Sequence, residues 1–187
     1  MLNKNQSQLL SFVIKKHGEQ KRKYTNKPYY THCVDVAEIV SKYEDGCIEA
    51  ALCHDLFEDT NCDFSELYKE LLNIGYERNE SYDICTNVTE LTDKFTHKDY
   101  PYHNRKKRKE LEAQRLASIS YKSQSIKYAD LINNTSSIVE YDKGFAKVYL
   151  VEKQRILELM DAGNKDLYEL CLQTQKQAKK DLSHSIK

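Results

Sequence analysis

From Ala51 to Thr60 the chain reads Ala-Leu-Cys-His-Asp-Leu-Phe-Glu-Asp-Thr, a histidine and three carboxylates set into an otherwise apolar, helix-forming stretch. On a helix, residues four apart share a face, so His54 is expected to stack with Glu58 and Asp55 with Asp59. Burying that much polarity is costly unless something binds it, and a metal ion is the usual answer. The alternative is a solvated acidic helix end.

The surrounding chain is read as helical. Five Gly and two Pro among 187 residues leave few breaks, and apolar residues recur at helical spacing with no convincing alternating strand. Helices are expected over about residues 6–16, 32–42, 48–58, 81–91, 105–118, 123–140, 145–160 and 165–180, with a frayed tail after Leu182. Another should open at Asp63, whose spacing to Glu66 suits a capping box ahead of Leu67, Leu71 and Leu72, with Gly75 as its stop. In the helix after Gly18 and the Lys21 to Thr31 loop, Val36, Ile39 and Val40 form the apolar stripe. Residues 92–104, with Pro101 and scattered charge, read as a flexible loop. There is no repeat, linker or composition break. The expectation is one all-α domain, residues 1–187, a bundle of about eight or nine helices.

Charge narrows the partners. With 29 basic and 29 acidic residues the net charge is zero, so no global field draws the chain to nucleic acid or anionic membrane. The run Arg105-Lys106-Lys107-Arg108-Lys109 is read as a solvated helix face, ahead of polyphosphate attraction and nucleic-acid binding. It lacks the interleaved aromatics of single-strand binders. No apolar run approaches a membrane span, and the first residues lack a signal-peptide core, which points to the cytoplasm. Six cysteines show no C-x-x-C pair, so a disulfide or thiolate zinc site is not expected, and Cys33 and Cys53 are read as packing.

A metal at His54 and Asp55 needs further ligands. His32 opens a helix directly after a turn, and Asp130 lies flush with the stripe formed by Ile126, Ala129 and either Leu131 or Ile132. Taken singly, His32 could be a loop histidine and Asp130 a structural carboxylate paired with Lys127. Together they give the spacing H…HD…D.

That spacing resembles the HD-domain metal-dependent phosphohydrolase superfamily, and in detail the hydrolase domain of RelA/SpoT-type alarmone enzymes. His17-Gly18-x-Gln20-x-Arg22 followed by Pro28-Tyr29-x-x-His32 resembles that domain's opening signature. His54-Asp55-x-x-Glu58-Asp59-Thr60 is similar to its catalytic helix, and Ile126-Lys127-x-Ala129-Asp130-x-x-x-Asn134 to its final motif. Three positions depart from the pattern. Cys33 stands where a proline usually follows the first metal histidine, Leu131 stands where an arginine follows the last ligand, and Asn26-Lys27 replace a glycine before Pro28-Tyr29. No ligand is lost, but substrate identity is left open.

The resemblance implies a hydrolase that removes the 3′-pyrophosphate of (p)ppGpp-like nucleotides, monofunctional because the matched region consumes the chain. His32, His54, Asp55 and Asp130 would hold manganese, with iron, zinc or magnesium as alternatives, since two imidazoles and two carboxylates suit such ions. Glu58 and Asp59 would be the acid/base pair. Arg22, Lys23, Tyr29, Lys127 and Asn134 would contact the nucleotide, Arg22 as a bidentate phosphate ligand, with Tyr29 otherwise packing the loop and Lys127 otherwise supporting Asp130. Other readings stay open: an NADPH phosphatase, a 5′-nucleotidase or nuclease, or an inactive nucleotide-binding regulator. A homo-oligomer is also open.

Overall fold

The computed structural model describes residues 2–184. Among these, ten helices account for the ordered structure, and the only β-type pairing is an isolated bridge between Lys21 and Pro28. They are α1 (Lys4–His17), α2 (Tyr30–Val40), α3 (Ile48–Cys53), α4 (Leu56–Asp59), α5 (Phe64–Ile74), α6 (Arg78–Leu91), α7 (Arg105–Leu116), α8 (Tyr121–Tyr141), α9 (Lys143–Leu159) and α10 (Lys165–His184). The all-α expectation holds. The extra helix arises because the expected 48–58 helix is two pieces, α3 and α4. The last helix runs past Lys180 to His184, and the rest of the expected frayed tail lies outside the described residues.

By contacts the chain divides into two compact units, Met1–Thr92 and Asp93–Lys187. In the first, Leu9 and Val13 of α1, Val36 and Val40 of α2, Leu52 of α3 and Leu67 and Leu71 of α5 are fully buried. The α2 stripe differs slightly from expectation: Cys33 and Ala37 join it, and Ile39 is only half-buried.

Local chemistry sets the ends. The Asn3 side chain accepts from the Gln6 backbone at 2.8 Å while the Gln6 side chain accepts from the Asn3 backbone at 2.9 Å, a reciprocal cap that starts α1 two residues earlier than its periodicity suggests. Asp63 caps α5 through the Glu66 N–H at 2.8 Å, but the other half of the expected box is missing. Instead the Glu66 carboxylate pairs with Lys16 of α1 at 2.6 Å, because an interhelical cation outcompetes a local N–H. Gly75, at φ 111°, stops α5 as expected.

In the second unit, α8 packs against α9 and α10, and α7 against α9. Ile126, Tyr128 and Ala129 of α8 are fully buried, and Leu131 rather than Ile132 completes the stripe. The turn between α9 and α10 lies tight on α8. A Cβ at Gly163 would come within 2.6 Å of the Tyr128 ring and 2.9 Å of the Ser125 nitrogen. Among the described residues, two of the five cations in the basic run opening α7 are ion-paired: Arg105 forms a fork with Glu152 at 2.7 and 2.9 Å, and Lys109 pairs with Asp93 at 2.7 Å.

Candidate metal centre

The functional cluster of the first unit starts from a failure of helical regularity. Cys53 ends α3, and Asp55 adopts φ −98°, ψ 0° before α4 begins at Leu56. That conformation lies in the sparsely populated bridge region where active-site residues often sit. On an unbroken helix, adjacent side chains point about 100° apart and do not meet. Here His54 Nε2 and Asp55 Oδ2 converge to 3.1 Å. The expectation of one continuous helix carrying ligands and acid/base pair is corrected accordingly.

His32, in the first turn of α2, meets them: its Nε2 lies 3.2 Å from His54 Nε2 and 3.5 Å from Asp55 Oδ2. Both imidazoles are buried. The tautomer of His54 follows from its other nitrogen, since Nδ1 is 2.7 Å from the Ala51 carbonyl, which can only accept. Nδ1 therefore carries the proton, and Nε2 turns a lone pair toward His32 and Asp55. Lone pairs gathered this closely repel unless a cation or a proton lies among them. The donor set thus fits a divalent ion, and the cluster of buried His32 and His54 with half-buried Asp55 could bind a metal.

A second layer holds these groups. The Tyr29 hydroxyl donates to Asp55 Oδ2 at 2.7 Å. Burial and the Asp55 and Asp59 charges push the Tyr29 phenol far above its ordinary range, so it remains a donor. The rings of His17, Tyr29, His32 and His54 follow one another at centroid spacings of 4.9, 5.7 and 5.1 Å. Glu58 and Asp59 lie exposed on α4. Asp59 accepts from Gln20 Nε2 at 3.0 Å, and Gln20 Oε1 faces His17 Nδ1 at 2.8 Å. Gln20 is a site residue that sequence reasoning quoted within a motif but gave no role. Its signal was the fixed spacing to His17.

The loop before α2 is a closed ring. Arg22 N–H donates to the Lys27 carbonyl at 2.9 Å and Tyr29 N–H to the Gln20 carbonyl at 2.9 Å, with Asn26 at φ 55° making the turn where the family pattern has glycine nearby. Arg22 Nη1 pairs with Asp35 of α2 at 2.8 Å. Lys23 is exposed, its ammonium 4.7 Å from the Tyr24 ring centre. Tyr29, expected to contact the base or to pack the loop, has its hydroxyl on Asp55.

Asp130 belongs to the second unit. It is buried on α8, with Oδ2 2.8 Å from Lys127 Nζ and Oδ1 2.6 Å from Asn134 Nδ2. The i−3 and i+4 spacing of the two donors places both on the Asp130 face.

No protein-family model matches the chain. Two proteins named guanosine-3′,5′-bis(diphosphate) 3′-pyrophosphohydrolase MESH1 do. The one from Drosophila melanogaster is 30% identical over 130 residues, covering 67% of this chain and 64% of that protein. The one from Xenopus tropicalis is 34% identical over 130 residues, covering 66% and 64%. The chain is similar to the MESH1 proteins. The match spans a little under two thirds of each MESH1 relative. A solved structure, described as a metazoan orthologue of SpoT that hydrolyses ppGpp, superimposes with a TM-score of 0.76 at 23% identity, over 95% of this chain and 97% of that one. The resemblance to RelA/SpoT-type HD hydrolases read from the sequence is borne out by the MESH1 likeness, and the fold by the superposition.

Proposed function

We propose that the chain is a metal-dependent phosphohydrolase that removes the 3′-pyrophosphate of (p)ppGpp-like nucleotides, as the names of its MESH1 relatives describe for those proteins. The observation that carries the reading is the convergence of His32, His54 and Asp55 on one point, with the His54 lone pair fixed by Ala51. Asp130 enters this proposal as the fourth ligand that the resemblance implies. Manganese is the proposed ion. The protein would act in the cytoplasm; among the described residues, no helix is long and apolar enough to cross a membrane.

When bound, the cation supplies positive charge at the phosphoryl oxygens and lowers the pKa of a water nucleophile. The remaining work falls to side chains. Glu58 and Asp59 orient the attacking water and pass a proton to the leaving pyrophosphate, with Gln20 fixing the Asp59 carboxylate. Arg22, held by Asp35, and Lys23 face the substrate phosphates. Lys127 and Asn134 hold Asp130, with Lys127 as a phosphate contact and Asn134 as a partner of the ribose. Tyr29 serves Asp55 first, and contributes to substrate only through its ring.

The test is to incubate metal-stripped protein with manganese and a panel of ppGpp, ppApp, NADPH, 5′-nucleotides and single-stranded DNA. Pyrophosphate from ppGpp or ppApp, lost in Asp55→Ala, supports the proposal. Orthophosphate from NADPH or a 5′-nucleotide keeps the metal centre and replaces the substrate. Absence of any turnover with metal bound favours a nucleotide-binding regulator.

A further inference from the structure

The cysteine beside His32 lies close to two of the proposed metal ligands. Cys33 is fully buried in α2, and its sulfur, a His54 ring nitrogen and an Asp55 carboxylate oxygen all lie within 4.8 Å of one another. On its other side, Cys33 Sγ is 3.9 Å from His17 Nε2. The His17 tautomer follows from Gln20: Nδ1 faces Oε1 of that amide, whose nitrogen is committed to Asp59. His17 Nδ1 therefore carries the ring proton, and Nε2 presents a lone pair to the thiol. The sulfur thus lies near both a ring nitrogen of His17 and two proposed metal ligands. Among the described residues, no other cysteine joins such a donor group. Cys53, also next in sequence to a candidate ligand, has its thiol pushed well above the ordinary range by burial, with Cys85 and Cys62 adding to the effect.

We propose that Cys33, with His54 and Asp55, forms a thiolate-bearing site for a soft divalent cation such as zinc. The inference rests on the metal-centre reading of the same cluster and adds a sulfur donor to it. Thiolate ligands favour zinc over manganese, whereas the imidazole and carboxylate donors alone suit manganese and iron as well. On coordination the Sγ–H bond breaks, its proton is released to solvent, and the sulfur lone pair bonds the cation. No electron changes hands, so no oxidant is needed. The same His54 and Asp55 side chains serve either donor set, and the identity of the cation decides whether Cys33 is engaged.

Cobalt(II) is the probe, because a cobalt–thiolate bond gives a charge-transfer band that nitrogen and oxygen ligands do not. Metal-stripped full-length protein titrated with cobalt should show that near-ultraviolet band beside the visible ligand-field bands. Zinc should displace both. The charge-transfer band should vanish in Cys33→Ser and Cys33→Ala, checked for native circular dichroism, and persist in Cys53→Ala. Ligand-field bands without the charge-transfer band would remove Cys33 while leaving the metal centre intact; no cobalt binding at all would overturn both. X-ray absorption of the zinc-loaded wild-type protein needs no Cys33 variant. A sulfur scatterer at about 2.3 Å, retained in Cys53→Ala, supports the site, and a shell of nitrogen and oxygen alone overturns it.

Discussion

The Tyr29 hydroxyl donates, at 2.7 Å, to the same Asp55 oxygen that lies 3.1 Å from His54 Nε2 and 3.5 Å from His32 Nε2. A neutral donor on a ligating carboxylate fixes its orientation without competing for the cation, and losing such a partner typically costs 10–100-fold in metal affinity. Tyr29→Phe keeps the ring and removes only the donor. Metal affinity, measured by chelator competition, should fall by about tenfold or more with the fold unchanged. Unaltered affinity would show that the Tyr29–Asp55 bond plays no part in holding the ion.

The proposed ligands and the proposed acid/base pair should separate in their effects. His54→Ala removes a converging donor, and it should abolish both metal retention and turnover. Glu58 is exposed on α4, beyond the break at Asp55, so Glu58→Ala should retain the ion while slowing turnover by about 10²- to 10⁴-fold. Metal content by elemental analysis, set beside turnover, distinguishes the two. A Glu58→Ala protein with full activity would end the acid/base assignment.

How far the sequence carries can be read at particular residues. Few Gly and Pro and a persistent helical period suffice for the all-α class, and Asp63 and Gly75 announce the ends of α5 because capping is local chemistry. The ligand candidates His32, His54 and Asp55 were legible because polar groups in an apolar helical stretch need a reason. The break at Asp55 was not. Nothing in Leu52 to Phe57 forbids a continuous helix, and only tertiary packing selects the bridge conformation that aims adjacent side chains together. The Tyr29–Asp55 and Arg22–Asp35 pairs are hidden for the same reason, being contacts across 26 and 13 residues. Glu66 shows the reverse case, a local motif overruled by Lys16.

Close packing in the second unit gives a prediction independent of chemistry. Gly163 lies against Tyr128, whose hydroxyl donates to the Met160 carbonyl at 2.7 Å and so pins the turn to α8. A Cβ there meets the ring at 2.6 Å, the Ser125 nitrogen at 2.9 Å and Gln124 Cβ at 3.0 Å, two of them parts that cannot swing away. Gly163→Ala should cost about 1–3 kcal/mol by overpacking, seen as a lower denaturation midpoint. An unchanged midpoint would mean that the turn yields.

The final prediction concerns acid. Burial alone would raise the Asp93 carboxyl, but Lys127, Lys109 and Arg115 around it outweigh that and hold it below its ordinary 3.8. A carboxyl depressed in the folded state binds its proton less readily there than in the unfolded chain. Its contribution to stability is therefore complete above the unfolded value and drains away as pH falls through the folded one. Asp93→Asn removes that contribution and leaves Lys109 without its partner at 2.7 Å. Denaturation midpoints should consequently differ most near neutrality, with wild type the more stable. Below about pH 4 the wild-type curve should fall toward that of the variant. Parallel acid limbs in the two proteins would show that the cations around Asp93 do not depress it enough to matter. They would leave its pairing with Lys109 as a contact of exposed-pair strength, worth at most about 1 kcal/mol.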